Sequence, residues 1–273
     1  MKTVIIKSIL FFLTFSFFSC EKVIDVPLDE AEPRLVIDAV IRWQKGTVGN
    51  EQVIKLSLTN SFYSSEITPA SNAIVTITDS NNQVFLFTQV PNTENYVCLN
   101  FVPAISETYT LEVQYEGEIY TSTNTLIATP SITHVEQDVI DTFGEDVIRI
   151  KFFYQDDAAT NDYYLVGVVN PNKQVPEFGI LDDEFSQGQE LFGYYASSET
   201  ESGSDLILSL QSMNYQFYDY MNKLLPIASS DGNPFATPTG TLRGNIVNET
   251  NFDNYALGYF HLAETDIITY TVE

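Results

Sequence analysis

The sequence predicts an all-β fold with one helix, in which an N-terminal immunoglobulin-like β-sandwich precedes a second β-rich sandwich or half-barrel domain. Three observations carry that expectation. Apolar residues recur at every second position through many short runs, the period of a strand with one buried face. Turn clusters rich in Asn, Asp, Gly and Pro separate the runs, as between short antiparallel strands. The chain is 44% hydrophobic and 13% aromatic, enough apolar surface to build a core.

From the N-terminus, residues 1–19 read as a signal peptide. Lys2 and Lys7 form a positive start, and Ser8 to Phe18 is an apolar run too short for a membrane-spanning helix, which needs roughly 20 apolar residues. The run ends at Phe17-Phe18-Ser19-Cys20, a small residue followed by cysteine. That order matches a lipoprotein processing site, at which the Cys20 thiol takes a diacylglycerol and its freed amine an acyl chain. Several acyl chains anchor a protein firmly, because each buried methylene contributes about 0.8 kcal/mol. Residues 20–32 hold Asp25, Asp29, Glu30 and Glu32 around Pro27 and read as a lipidated tether.

Residues 33–129 are expected to form the immunoglobulin-like sandwich. Leu35, Ile37, Ala39, Ile41 and Trp43 alternate with polar positions that include Asp38 and Arg42, so Trp43 is expected in the core. Ile54, Leu56 and Leu58 alternate in the same way, as do Ala73, Val75 and Ile77 before the turn Asp79-Ser80-Asn81-Asn82. Tyr109, Leu111, Val113 and Tyr115 lead into Glu116-Gly117, a hairpin turn. Thr129-Pro130 marks the boundary.

Residues 130–273 read as the second domain. Strands are expected at Val147–Tyr154, Tyr163–Asn170, Leu206–Leu210, Leu242–Val247, Ala256–Leu262 and Ile267–Val272, with a looser stretch from Asn170 to Tyr195. A helix is expected near 213–225. Ser212 is its N-cap, Met213, Phe217, Tyr220, Met221 and Leu224 form its apolar face, and Pro226 stops it.

Charge and rare residues narrow the chemistry. The chain carries 12 basic and 37 acidic residues, a net charge of −25. That excludes nucleic-acid binding, which needs clustered Lys and Arg against phosphates, and it keeps a surface protein dispersed. Besides Cys20 only Cys98 is present; it lies in an apolar strand-like run with no neighbouring base, a small core hydrophobe with no expected reactivity. The two histidines, His134 and His261, begin no zinc-hydrolase motif. No nucleophile elbow and no phosphate-cradling loop occurs, so no catalytic residue, cofactor or metal is assigned and a non-enzymatic role is expected. Asp156-Asp157 and Asp182-Asp183-Glu184 offer oxygen ligands to calcium, but neither has the spacing of a helix–loop–helix calcium motif, and both read as solvated turns.

The opening Cys20-Glu21-Lys22-Val23-Ile24-Asp25, followed by Pro33-Arg34-Leu35-Val36-Ile37-Asp38-Ala39-Val40-Ile41, resembles the Bacteroidota lipoproteins grouped as domain of unknown function 4249. Tyr215, Tyr218 and Tyr220 in the helix, the turn Gly232-Asn233-Pro234-Phe235 and Gly258-Tyr259-Phe260 agree with it. Gly244-Asn245-Ile246-Val247-Asn248 lacks the glycine-rich run of many members, so a loop there is expected to differ. The resemblance implies an outer-membrane lipoprotein exposed at the cell surface, and supplies no catalytic residue. It further implies a partnership with a TonB-dependent β-barrel transporter, as an accessory or substrate-binding protein for a small-molecule or glycan ligand that the sequence does not identify. The alternative is a structural or adhesive surface lipoprotein.

Overall fold

The structure, a computed structural model, describes residues 32–61, 66–142, 144–229 and 241–273. The expected signal peptide, Cys20, the tether up to Ala31 and the turn at 232–235 lie outside these residues. Residues 33–273 form one compact unit. Among the described residues it is all-β with one helix, as expected.

The chain runs through β1 (Leu35–Gln44), β2 (Gln52–Leu58), β3 (Thr68–Pro69), β4 (Ile74–Asp79), β5 (Val84–Gln89), β6 (Asn95–Cys98), β7 (Thr108–Tyr115) and β8 (Glu118–Thr125). It continues through β9 (Ile132–Thr142), β10 (Glu145–Gln155), β11 (Tyr163–Val169), β12 (Glu177–Asp182), β13 (Glu190–Ala196) and β14 (Asp205–Met213). Helix α1 (Tyr215–Ser229), β15 (Val247–Asn248) and β16 (Leu257–Thr271) complete it. One large sheet has the order β12-β11-β14-β16-β1-β2-β6-β5-β4-β7-β8-β15, with β3 on β2; a second has the order β13-β10-β9.

The alternation read in the sequence sets the first core. Ile37, Ala39 and Ile41 of β1 and Ile54 and Leu56 of β2 face Val75 and Ile77 of β4 and Leu111 and Val113 of β7. The large sheet therefore folds over on itself, and its two layers bury Phe85, Tyr96, Phe101 and Tyr109 between them. Glu116 and Gly117 have φ of 50° and 83°, as a two-residue hairpin between β7 and β8 requires. Asp79 Oδ1 accepts the Asn81 and Gln83 amides at 2.9 and 2.8 Å, which closes the β4–β5 turn.

A second core lies between the small sheet and β11 and β14, where Ile150, Phe152 and Tyr154 meet Tyr164, Val166, Leu206, Leu208 and Leu210. The opposite face of the large sheet is covered by α1, with Phe217 and Met221 against Val40, Leu165 and Tyr259.

The strand β16 holds these layers together. Its first part pairs in parallel with β1, from Val36 opposite Leu257 to Gln44 opposite Thr265. Its last part pairs antiparallel with β14, from Gln211 opposite Thr265 to Asp205 opposite Thr271. The two strands expected at 256–262 and 267–272 are thus one. Strands from both sides of Thr129-Pro130 join in a single sheet through it.

Four local expectations need correction. The helix cap lies two residues later than expected: Ser212 belongs to β14, and Asn214 Oδ1 accepts the Phe217 amide at 2.8 Å. Asn is as good a cap as Ser, and the β14 ladder claims Ser212. Pro226 lies inside α1 and does not stop it. The stretch 242–247 contributes only the start of β15, and the looser stretch 170–195 contains β12 and most of β13. The strand β9 has no clean alternation, which is why its sequence did not announce it.

Gly258 shows how close the central packing is. Its φ is +97°, and a Cβ there would lie 2.0 Å from the Ile37 carbonyl oxygen. No side-chain rotation relieves a clash with backbone. Gly203 has φ +85° but open space around it. Gly258→Ala is therefore expected to cost at least about 3 kcal/mol, against about 1 kcal/mol for Gly203→Ala. Thermal unfolding followed by circular dichroism compares the two; equal, small losses would refute the close approach.

Candidate functional site

A cleft of about 580 Å³ lies between α1 and the face of the large sheet. Alternation on β1 makes it: Ile37, Ala39 and Ile41 point into the first core, so Val36, Asp38, Val40 and Arg42 are left to line the cleft. Leu165 of β11 and Tyr259 of β16 form more of the floor, and Met221 and Leu224 of α1 form a wall. Among the described residues the lining is mainly apolar, with Asp38 and Arg42 as its charged members.

His261 supports this wall from beneath. It is 0% exposed, its ring stacks on Phe217 at 4.3 Å, and Nε2 lies 3.0 Å from the Ser212 carbonyl. A backbone carbonyl accepts, so Nε2 carries the proton and Nδ1, buried without a partner, is the bare nitrogen. Burial, aided by the Arg42 charge and opposed by the Ser212 bond, pushes its pKa down to about 4. The tyrosines expected on the helix divide in role. Tyr220 packs on Tyr259 at 4.8 Å beside the cleft, while Tyr218 donates to Asp182 Oδ2 at 2.8 Å and ties α1 to the end of β12.

Other residues singled out in the sequence stand apart from the cleft. Cys98 is buried, its Sγ lies 3.2 Å from Asn100 Oδ1, and burial pushes the thiol up. His134 is an exposed member of β9, stacked on Phe153 at 4.3 Å. Trp43 packs partly buried against the first core and donates Nε1–H to the Thr47 carbonyl at 3.0 Å.

The two acidic runs are not merely solvated turns. Asp157 and Glu184 are exposed, yet Asp156 and Asp183 are 4% and 1% exposed. Together with half-buried Asp162 they bring one carboxylate oxygen each to within 4.8 Å of one another. Asp156 follows β10, Asp162 precedes β11 and Asp183 follows β12, so three strand ends converge here. Asp156 accepts from the Tyr164 hydroxyl at 2.6 Å and the Gly188 amide at 2.8 Å. Asp162 Oδ2 accepts from Thr160 Oγ1 at 2.7 Å. Asp183 Oδ2 is buried with no partner. Burial pushes the Asp162 carboxyl up, Thr160 opposes that, and the charges of Asp156 and Asp183 add to it. No signal short of the folded sheets joins residues 156, 162 and 183.

The sequence matches the family described as domain of unknown function (DUF4249) over residues 21–267. No curated protein matches it. Among solved structures, a two-domain fibronectin type III segment of chicken tenascin is 13% identical with a TM-score of 0.23, covering 67% of this chain and 91% of that one. The FN1–FN3 domains of chicken CNTN1 are 10% identical with a TM-score of 0.27, covering 69% and 65%. A DUF4785 family protein from Legionella pneumophila is 12% identical with a TM-score of 0.23, covering 66% and 52%.

His261 makes stability pH-dependent. An unfolded histidine binds a proton below about 6.5, whereas the folded one resists until about 4. Stability from this residue is fully present above the unfolded pKa and is lost as pH falls toward the folded one. His261→Gln removes that dependence. The wild type's advantage over this variant is expected to shrink by about 2 kcal/mol between pH 7 and pH 5, measured by denaturant titration at each pH. A constant difference would show that His261 is not held neutral.

Proposed function

The chain belongs to the DUF4249 family, and from that premise we propose that it is a Bacteroidota outer-membrane lipoprotein, anchored through Cys20 and exposed at the cell surface, that serves a TonB-dependent uptake system as a non-enzymatic, substrate-binding accessory. The observation that carries this reading is the cleft beside α1. Its volume, about 580 Å³, falls in the range of small-ligand sites, and its lining follows their usual plan of apolar walls with few polar groups. Val40, Leu165 and Met221 take the apolar part of a ligand, while Asp38 and Arg42 offer one charge of each sign to orient its polar part. Binding and release need such walls, not a nucleophile with its base.

Lipidation of Cys20 fits the same role. A lipid anchor keeps the cleft at the membrane, where a receptor barrel can take what it holds. The strong negative charge keeps the protein off anionic lipid.

The test is affinity purification of the tagged chain from its native outer membrane in mild detergent, followed by mass spectrometry. A TonB-dependent barrel in stoichiometric amount is the expected companion. Val36→Arg, which places a charge in the cleft, is expected to abolish substrate uptake while leaving the barrel association intact and Tm within about 2 °C. Recovery of the lipoprotein alone, or with glycan or matrix, would replace this reading with a structural or adhesive one.

A further inference from the structure

We propose that Asp156, Asp162 and Asp183 form a calcium site that fastens the small sheet to the large one. The three carboxylates come from the ends of β10, β11 and β12, so the first belongs to the small sheet and the other two to the large sheet. Their ligand oxygens lie within 4.8 Å of one another. Calcium binds oxygen at about 2.4 Å, so oxygens around one ion stand no further apart than about 4.8 Å. The distances match a shared ion.

Charge leads to the same conclusion. Three carboxylates converge in a site where two of the residues are buried. None of the three takes part in an ion pair among the described residues. Neutral donors serve Asp156 and Asp162, namely the Tyr164 hydroxyl, the Gly188 amide and the Thr160 hydroxyl. Asp183 Oδ2 is left buried with no donor at all. A buried anionic oxygen without a partner is costly, and a cation bound by all three carboxylates removes that cost.

The donor set selects the ion. Oxygen alone, with no His or Cys, suits a hard cation and not zinc or copper. Magnesium demands a near-ideal octahedron and keeps several waters. A half-buried set fixed by three strand ends suits calcium, with its irregular coordination of six to eight oxygens. Asp162, the most exposed of the three, is the side through which ion and water enter. The Asp183 amide donates to the Asp162 carbonyl at 3.3 Å, so the backbone already holds two of the ligands in register.

The competing account is a proton shared between the carboxyls, with no metal. The experiment separates the two. The full chain, purified in mild detergent and stripped with a chelator, is titrated with CaCl2 or MgCl2 and followed by scanning calorimetry and isothermal titration calorimetry. Calcium at millimolar concentration is expected to bind with a stoichiometry near one and to raise Tm by about 5 °C, with a much smaller shift from magnesium. Asp183→Asn is expected to lose both the binding heat and the shift. Asp162→Asn, at a more exposed position, guards against misfolding of that variant. It is expected to weaken calcium binding at least tenfold and to lose the Tb3+ luminescence that Tyr164 sensitises in the wild type. A Tm indifferent to calcium in the stripped wild type would overturn the site and leave the shared proton. An undiminished shift in both variants would overturn it equally, by placing the ion elsewhere.

Discussion

The parallel pairing of β1 with β16 is the constraint on which the rest of the fold depends. Nine residue pairs join the first described strand to the last, so nearly the whole chain lies between the two partners. One face of β1 is buried through Ile37, Ala39 and Ile41 in the first core; the other buries Val40 under α1 and leaves Asp38 and Arg42 exposed to the cleft. Pairing so distant in sequence closes late and slowly, although the entropy of closure itself grows only with the logarithm of loop length. Once closed, β16 continues past Thr265 and hands its hydrogen bonds to β14. One strand therefore fixes the position of both apolar clusters and of the face on which α1 lies.

Before that handover, the edge of β16 away from β1 has no long strand beside it among the described residues, and it is covered by other means. Asn245 grips Phe260 with both ends of its amide, accepting its N–H and donating to its carbonyl at 2.8 Å each. Asn124 donates to the same carbonyl at 3.0 Å. Ile127 takes the place of a strand for Leu262 and Glu264, donating to one at 3.2 Å and accepting from the other at 2.9 Å. Thr129 accepts the Ser212 amide at 2.9 Å and donates to the Glu264 carbonyl at 2.7 Å. An exposed edge would invite pairing with another chain; here side-chain amides and hydroxyls stand in for a neighbouring strand.

What the sequence revealed follows from how each element is buried. β1, β2, β4 and β7 each send alternate residues to the core, so their period of two was visible, and the hairpin at Glu116-Gly117 was readable from its turn chemistry. The apolar repeat of Phe217 and Met221 gave the helix, but Ser212 and Asn214 are both good caps, and only the β14 ladder decides between them. β9 lies at the edge of a small sheet with Val139 exposed and Val135 only partly covered, so it has no pattern to read. The parallel pairing leaves no local trace. Nor does the convergence of Asp156, Asp162 and Asp183: two acidic runs looked like solvated turns because burial is decided by the sheets that close over them.

The cleft and the acidic cluster are joined through β11 and α1. On β11, Tyr163, Tyr164 and Leu165 alternate in direction. Tyr164 binds Asp156 on one face, while Leu165 lines the cleft and Tyr163 packs against Tyr218 at 4.7 Å, the rings tilted, on the other. Tyr218 in turn binds Asp182, the neighbour of Asp183. The helix that walls the cleft is thus tied to the residue next to one carboxylate, and the cleft floor to the residue next to another's partner. Both the floor and the wall of the cleft therefore stand one residue away from a hydrogen bond or ligand of the acidic cluster. β11 thus serves two sites at once, because its alternation sends Tyr164 to the aspartates and Leu165 to the cleft.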